Sequence, residues 1–270
     1  MTDAPFFKRT AIGLGLALAW GMTPALAEEM TDPVAIVEAA NEASYYAGDD
    51  GRSAARMLIA DDDGNRQRRQ FTLLRKDVED GGDQRYLVVF SRPADIRGTV
   101  FRVEKQVGGS DDRWLYLPGL DLVKRISSGD KRTSFVGSHF YYEDISGRDT
   151  GEDRHELVET SEDYYVIEST PRRPDDVEFA RYRTWIDRET MLPMRTAYQR
   201  ESGEIYRRME VTEVETIDGY PTGTEVRMQD LDSGGETITQ FRYAEYDIGL
   251  PDDIFSERSL RNPPREWLRR

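Results

Sequence analysis

The sequence predicts a mainly β protein whose antiparallel strands curl into a half-open barrel, with a few helices over its apolar concave face. Three observations carry that expectation. Short stretches of alternating apolar and polar residues follow one another at regular intervals, joined by glycine turns such as Gly81-Gly82, Gly108-Gly109-Ser110, Asp218-Gly219 and Ser233-Gly234-Gly235. The alternation puts charge on one face: Phe101 and Val103 against Arg102 and Glu104, Met209 and Val211 against Arg208 and Glu210, Phe241 and Tyr243 against Arg242. With 37% hydrophobic and 33% charged residues, the chain has too little apolar material for a thick two-sheet sandwich. One strongly curved sheet with a wet convex face needs less.

Taken in chain order, Lys8-Arg9, a mostly apolar run from Ala11 to Met22, Pro24 and Ala25-Leu26-Ala27 have the layout of a secretory signal: a basic start, a short apolar core and a small-residue cleavage site. The run is shorter than the ~20 residues of a membrane-spanning helix, so residues 1–27 are expected to be cleaved, leaving Glu28 first. Residues 28–270 should form one domain, because no linker, composition shift or fixed-period repeat divides them. Thr31-Asp32-Pro33 starts a helix with a capping side chain and an early proline. Val34, Val37, Ala40 and Ala43 then recur at helical spacing to about Tyr46, before Gly48. Strands are expected around Met57–Ile59 and Phe71–Leu73, either side of an Asp61-Asp62-Asp63-Gly64-Asn65 turn, then at Tyr86–Ser91, Thr99–Gln106, Arg113–Leu117 and Leu122–Ile126. After a looser middle come Arg154–Thr160, Tyr164–Thr170, Phe179–Asp187, Met194–Arg200, Ile205–Ile217, Thr222–Leu231 and Glu236–Tyr246.

The formal net charge is −15, and one unit more negative once Asp3, Lys8 and Arg9 leave with the signal. Such a chain is repelled by nucleic acid and by anionic lipid surfaces. With no cysteine it offers no thiol for a disulfide or for lipid attachment, so a soluble, exported, periplasmic protein is expected. The two histidines, His139 and His155, stand in neither H-x-H nor H-E-x-x-H spacing. Asp61, Asp63 and Asn65 imitate the start of a calcium loop, but its glycine falls at Gly64, two places early, and the bidentate acid position holds Thr72; a hairpin turn explains them. No G-x-S-x-G, S-x-x-K, Walker or G-x-G-x-x-G motif occurs, and Ser138 and His139 point to opposite faces of an extended chain. Neither a catalytic centre, a metal site nor a cofactor is predicted.

Two stretches do not fit a sheet wetted on one side. In RWLYLPGLDLVKRI, Arg113 to Ile126, Trp114 and Tyr116 alternate with Leu115 and Leu117, so both faces are apolar and something must cover the second. Overlapping its end, KRISSGDKRTSFVGSHFYYEDISGRD concentrates Lys124, Arg125, Lys131 and Arg132 in an acidic chain, followed by Phe135, Phe140, Tyr141 and Tyr142. It reads either as a hairpin with solvated charges and an aromatic segment packed on the core, or as a mobile lid whose cations meet an anionic headgroup or acidic partner.

The same stretches resemble the outer membrane lipoprotein-sorting protein family, in particular its LolA-like group often encoded near membrane transporters of the resistance-nodulation-division (RND) class. Leu115-Tyr116-Leu117-Pro118, Lys124-Arg125-Ile126, Gly129-Asp130, Ser134-Phe135, Gly137-Ser138, Phe140 and Tyr142-Glu143-Asp144 fit its pattern in order and spacing, and WIDRETMLPMR, Trp185 to Arg195, resembles a later strand turn of the family. The resemblance implies a LolA/LolB-like half-barrel that holds acyl chains of a lipid or lipoprotein. It would take them from an inner-membrane transporter, of the RND class, and pass them to an outer-membrane acceptor, as a monomer and without enzymatic chemistry. An acyl chain exposed to water costs about 0.8 kcal/mol per CH₂, so a carrier must supply an apolar lining. Met57, Ile59, Phe71, Leu73, Phe101 and Val103 are expected in that lining, together with Leu115, Leu117, Met209, Val211 and Phe241. Lys124, Arg125, Lys131, Arg132, Phe135, Phe140 and Tyr142 are expected as lid or partner contacts. Cargo or lid helices would then cover the second face of Leu115 and Leu117. Two other readings stay open: an accessory transporter subunit with a closed, ligand-free core, and an envelope hydrolase.

Overall fold

The computed structural model describes residues 29–268; the expected signal sequence, residues 1–27, lies outside them. The helix-forming start becomes α1 (Pro33–Tyr45), with the Asp32 side chain accepting from the Val34 N–H at 3.0 Å. Thirteen strands follow: β1 (Asp50–Ala60), β2 (Arg66–Asp77), β3 (Gln84–Arg92), β4 (Val100–Lys105), β5 (Asp112–Leu117), β6 (Leu122–Ile126), β7 (Asp153–Thr160), β8 (Tyr164–Pro171), β9 (Arg181–Asp187), β10 (Pro193–Gln199), β11 (Ile205–Ile217), β12 (Tyr220–Asp230) and β13 (Glu236–Tyr246). They form one antiparallel sheet in the order β6-β5-β4-β3-β2-β1-β13-β12-β11-β10-β9-β8-β7. The chain thus meanders from β1 out to the β6 edge, crosses to β7, and meanders back until β13 pairs with β1. β6 and β7 do not pair, so the curved sheet stays open.

Period-two burial follows from the strand geometry: along β1, Ala55, Met57 and Ile59 are buried while Arg56 is exposed. α1 lies across the concave face and ties the two arms together. Its Ile36 and Ala40 pack on Tyr165 and Ile167 of β8 and Ile186 of β9. At its other end Arg75 of β2 donates to the carbonyls of Tyr45, Ala47 and Gly48 at 2.6–2.7 Å, satisfying acceptors that a helix end leaves without partners.

The segment between β6 and β7, carrying the short helix α2 (Tyr142–Ser146), enters the concave side and fills its β3–β5 half. Phe135 is fully buried, its ring 5.4–6.4 Å from those of Phe71, Phe90, Phe101 and Tyr142. Phe140 and Tyr142 belong to the same cluster. Of the two readings of this stretch, the aromatic residues follow the core one: they form a plug and not an exposed lid. Gly147 ends α2 with φ +77°, and a Cβ there would stand 2.8 Å from the Tyr45 ring, so α1 rests on a position only glycine allows.

A second core lies on the convex side, where the sequence predicts water. The C-terminal stretch, with α3 (Arg258–Arg261) and α4 (Arg265–Leu268), packs Leu250, Ile254, Phe255 and Leu260 on Leu74, Leu87, Val89 and Val100, with Trp114, Tyr116 and Val123 alongside. This corrects the expectation for RWLYLPGLDLVKRI. Leu115 and Leu117 face the plug, while Trp114 and Tyr116 are covered by the chain's own C-terminus. Arg102, expected on a wet face, is buried there: it donates to the Phe255 carbonyl, pairs with Glu104 and lies 4.6 Å over the Trp114 ring. No helix among the described residues is long and apolar enough to cross a membrane.

Candidate functional site

The plug occupies one half of the concave face, and open space remains under α1. The cavity there measures about 410 Å³, inside the ~300–1,000 Å³ range of small-molecule sites. One wall is apolar: β1 and β2 supply Met57, Phe71 and Leu73, β11 supplies Met209 and Val211, and β12 and β13 add Val226 and Phe241. Val37, Ala40 and Ala43 of α1 form the roof. The opposite wall is polar, with Glu143, Asp144 and Arg148 from the plug and Tyr182 and Tyr198 from β9 and β10.

Six of the residues expected in the lining therefore meet in one place: Met57, Phe71, Leu73, Met209, Val211 and Phe241. Phe140, expected in the lid, joins them. The other five do not line the space. Phe101 and Val103 are fully buried, Ile59 and Leu115 nearly so, and Leu117 packs on the same cluster, because the Phe135 plug covers β3–β5.

The four cations expected to meet a headgroup or partner are placed otherwise. Lys124 and Arg125 are exposed on the β6 edge, Arg125 pairing with Asp112. Lys131 and Arg132 are already neutralised inside the protein. Lys131 reaches Glu143 at 2.7 Å and Glu152 at 2.9 Å; Arg132 reaches Glu143 at 2.6 Å and Glu178 at 2.7 Å. Arg148 lies 3.4 Å from Glu143 and 2.9 Å from Asp153. Burial alone would raise the pKa of the Glu143 carboxyl, but Arg132, Lys131 and Arg148 overcome it and hold the group at about 2. The cluster is a clasp that fixes the plug to the barrel wall.

Sequence reasoning missed Arg207. It is 2% exposed and pairs with Asp144; its guanidinium lies 3.9 Å from the Tyr141 ring centre and donates to the His139 carbonyl at 3.2 Å. Its signal was parity: Arg207 shares the inward face of Met209 and Val211. The histidines serve as hydrogen-bonding groups. His139 Nδ1 lies 2.8 Å from the Thr237 hydroxyl, and His155 Nε2 donates to the Thr150 carbonyl while its Nδ1 lies 2.8 Å from the Ser169 hydroxyl. Among the described residues no group of histidines and carboxylates is arranged to hold a metal ion.

A family model described as an uncharacterized protein matches residues 82–262. No curated protein matches the chain. Among solved structures, a DUF1329 family protein from Desulfovibrio piger is 31% identical with a TM-score of 0.77, over 85% of this chain and 100% of that one. A putative outer membrane lipoprotein-sorting protein domain from Vibrio parahaemolyticus is 25% identical with a TM-score of 0.76, over 85% and 98%. A LolA superfamily protein from Nitrosomonas europaea is 21% identical with a TM-score of 0.66, over 85% and 99%, a likeness of fold. On these likenesses the chain belongs to the DUF1329 family and carries the LolA-like, lipoprotein-sorting fold.

Proposed function

We propose that the protein is a periplasmic carrier that takes an acyl chain of a lipid or lipoprotein into the cavity beneath α1 and yields it to an envelope partner. The two-sided cavity is the observation that supports this reading. Met57, Phe71, Leu73, Met209, Val211 and Phe241 offer an alkyl chain a wall from which water is excluded. The two methionines let that wall adapt to a flexible guest. Glu143, Asp144 and Arg148 form the polar wall opposite, their charges paired within the protein. With the plug filling the other half of the barrel, the space suits a single chain. Export by the signal at residues 1–27 would deliver the carrier to the periplasm as one domain. An inner-membrane transporter of the RND class is the proposed donor and an outer-membrane protein the acceptor. Transfer needs only that the acceptor bind the chain more tightly, because no bond in the cargo is made or broken.

The test is titration with parinaric acid, a fluorescent long-chain fatty acid, of the wild type and of Val226→Trp, which fills the apolar wall. Saturable binding by the wild type is expected. Displacing even two methylene groups costs about 1.6 kcal/mol, or about fifteenfold in affinity, so Val226→Trp should weaken binding at least that much while unfolding cooperatively. Absence of binding to the wild type would refute the reading and favour a transporter-docking subunit with a ligand-free core.

A further inference from the structure

The sheet is not sealed along its whole length. β12 and β13 pair from Gln229–Glu236 to Glu225–Gln240, and among the described residues their pairing stops there. Beyond that point both strands continue, but with other partners: β12 stays with β11 as far as Tyr220–Ile217, and β13 stays with β1 as far as Tyr246–Gly51. Between the Arg52–Glu245 and Ala54–Arg242 pairs, β13 spends two residues, Tyr243 and Ala244, against the single Ser53 of β1. Tyr243 takes φ +53° at this bulge. A bulge bends its strand and increases the twist, which turns β13 away from β12 and leaves a slot between them.

The slot opens into the cavity. Pro221, Thr222 and Gly223 on one lip, and Phe241, Ala244 and Tyr246 on the other, all line it. Gly223 lets this lip pack closely on β11: a Cβ there would stand 3.1 Å from the Val211 side chain. What holds the lips together is side-chain bonding and not a backbone ladder. The Thr222 and Tyr246 hydroxyls are 2.9 Å apart, the Tyr220 hydroxyl donates to Asp247 at 3.0 Å, the Tyr246 N–H donates to Asp218 at 3.1 Å, and the Tyr220 and Tyr246 rings lie 5.2 Å apart. Such partly exposed bonds open at far lower cost than paired strands. One step inside, Thr239 lines the cavity at 2% exposure with no partner for its hydroxyl. A buried donor of this kind suits an ester or carboxyl oxygen held at the inner edge of the slot.

We infer that this slot is a lateral gate for the acyl chain of a lipid. The Thr222–Tyr246 latch opens, the chain slides between β12 and β13 into the cavity, and the headgroup stays outside. The inference rests on the carrier reading and adds to it the route, placing the way in through the sheet and not past α1.

The chain has no cysteine, so an introduced pair is the sole site for a thiol cross-linker. Thr222→Cys/Ala244→Cys, joined by a reducible bis-maleimide, ties the lips. Glu225→Cys/Gln240→Cys, joined the same way, ties the last paired position and leaves the slot untouched. Stopped-flow binding of parinaric acid is then followed before and after reduction. The linked slot pair should lower the association and dissociation rates together by about tenfold or more, with affinity little changed and both rates restored by reduction; the linked control pair should behave as wild type. Unchanged rates in the linked slot pair, with wild-type binding intact, would overturn the gate and leave the carrier reading standing. Loss of affinity without slower dissociation would overturn it equally. Failure of the wild type to bind would overturn both.

Discussion

Replacing Glu143 by glutamine keeps its shape and removes the charge at the centre of the clasp. Breaking a buried ion pair by removing one partner costs about 3–5 kcal/mol, since the remaining charge is left uncompensated. Here every cation keeps a second carboxylate: Glu152 for Lys131, Glu178 for Arg132 and Asp153 for Arg148. The cost should therefore sit at the lower end, about 3 kcal/mol. Proton linkage gives a similar figure. Glu143 titrates at about 2 in the folded protein against 4.5 in its ordinary state, and at 1.36 kcal/mol per unit that difference is on the order of 3 kcal/mol. The folded pKa is depressed, so this stability is present in full above about pH 4.5 and is lost as pH falls toward 2. Urea unfolding at neutral pH should show the ~3 kcal/mol deficit in Glu143→Gln, and the gap to wild type should shrink across that acid window. A deficit below about 1 kcal/mol, or a gap that does not change with pH, would refute the clasp.

Phe135→Ala removes a fully buried ring and should cost about 3–5 kcal/mol in urea unfolding; a loss under about 1 kcal/mol would mean the segment is a loose lid after all. Phe255→Ala, on the convex side and 1% exposed, should cost a similar ~3–5 kcal/mol while leaving parinaric acid affinity unchanged, because that core is separated from the cavity by the sheet. Arg75→Met frees the carbonyls at the end of α1, and hydrogen exchange at Tyr45–Gly48 should accelerate relative to β1.

The strands were legible because a half-buried strand has a period of two that no other element imitates, and α1 because Asp32-Pro33 marks its start. α3 and α4 were not: each spans four residues, too few for a helical period to show. The convex core was hinted at only by Trp114 and Tyr116, which needed a cover that the sequence could not place. The basic stretch was ambiguous for a related reason. Arg132 finds Glu178 46 residues away, so whether its charge meets water, a ligand or a carboxylate depends on tertiary contacts that leave no local pattern. The cavity followed the same logic. Period two correctly turned Phe101, Val103 and Leu115 inward along with Met57 and Phe71. It could not say which inward residues the crossing segment would cover. Arg207 shows the opposite case: its inward parity was visible, and the apolar neighbours on either side masked it.

The central claim is that the space beneath α1 holds an acyl chain. Its most direct test is organic extraction and mass spectrometry of protein purified from its native envelope without detergent. The account predicts acyl-bearing lipid at about one molecule per chain, as expected for a site of this size, and markedly less from Val226→Trp prepared in parallel. A folded wild-type protein that releases no lipid would contradict it.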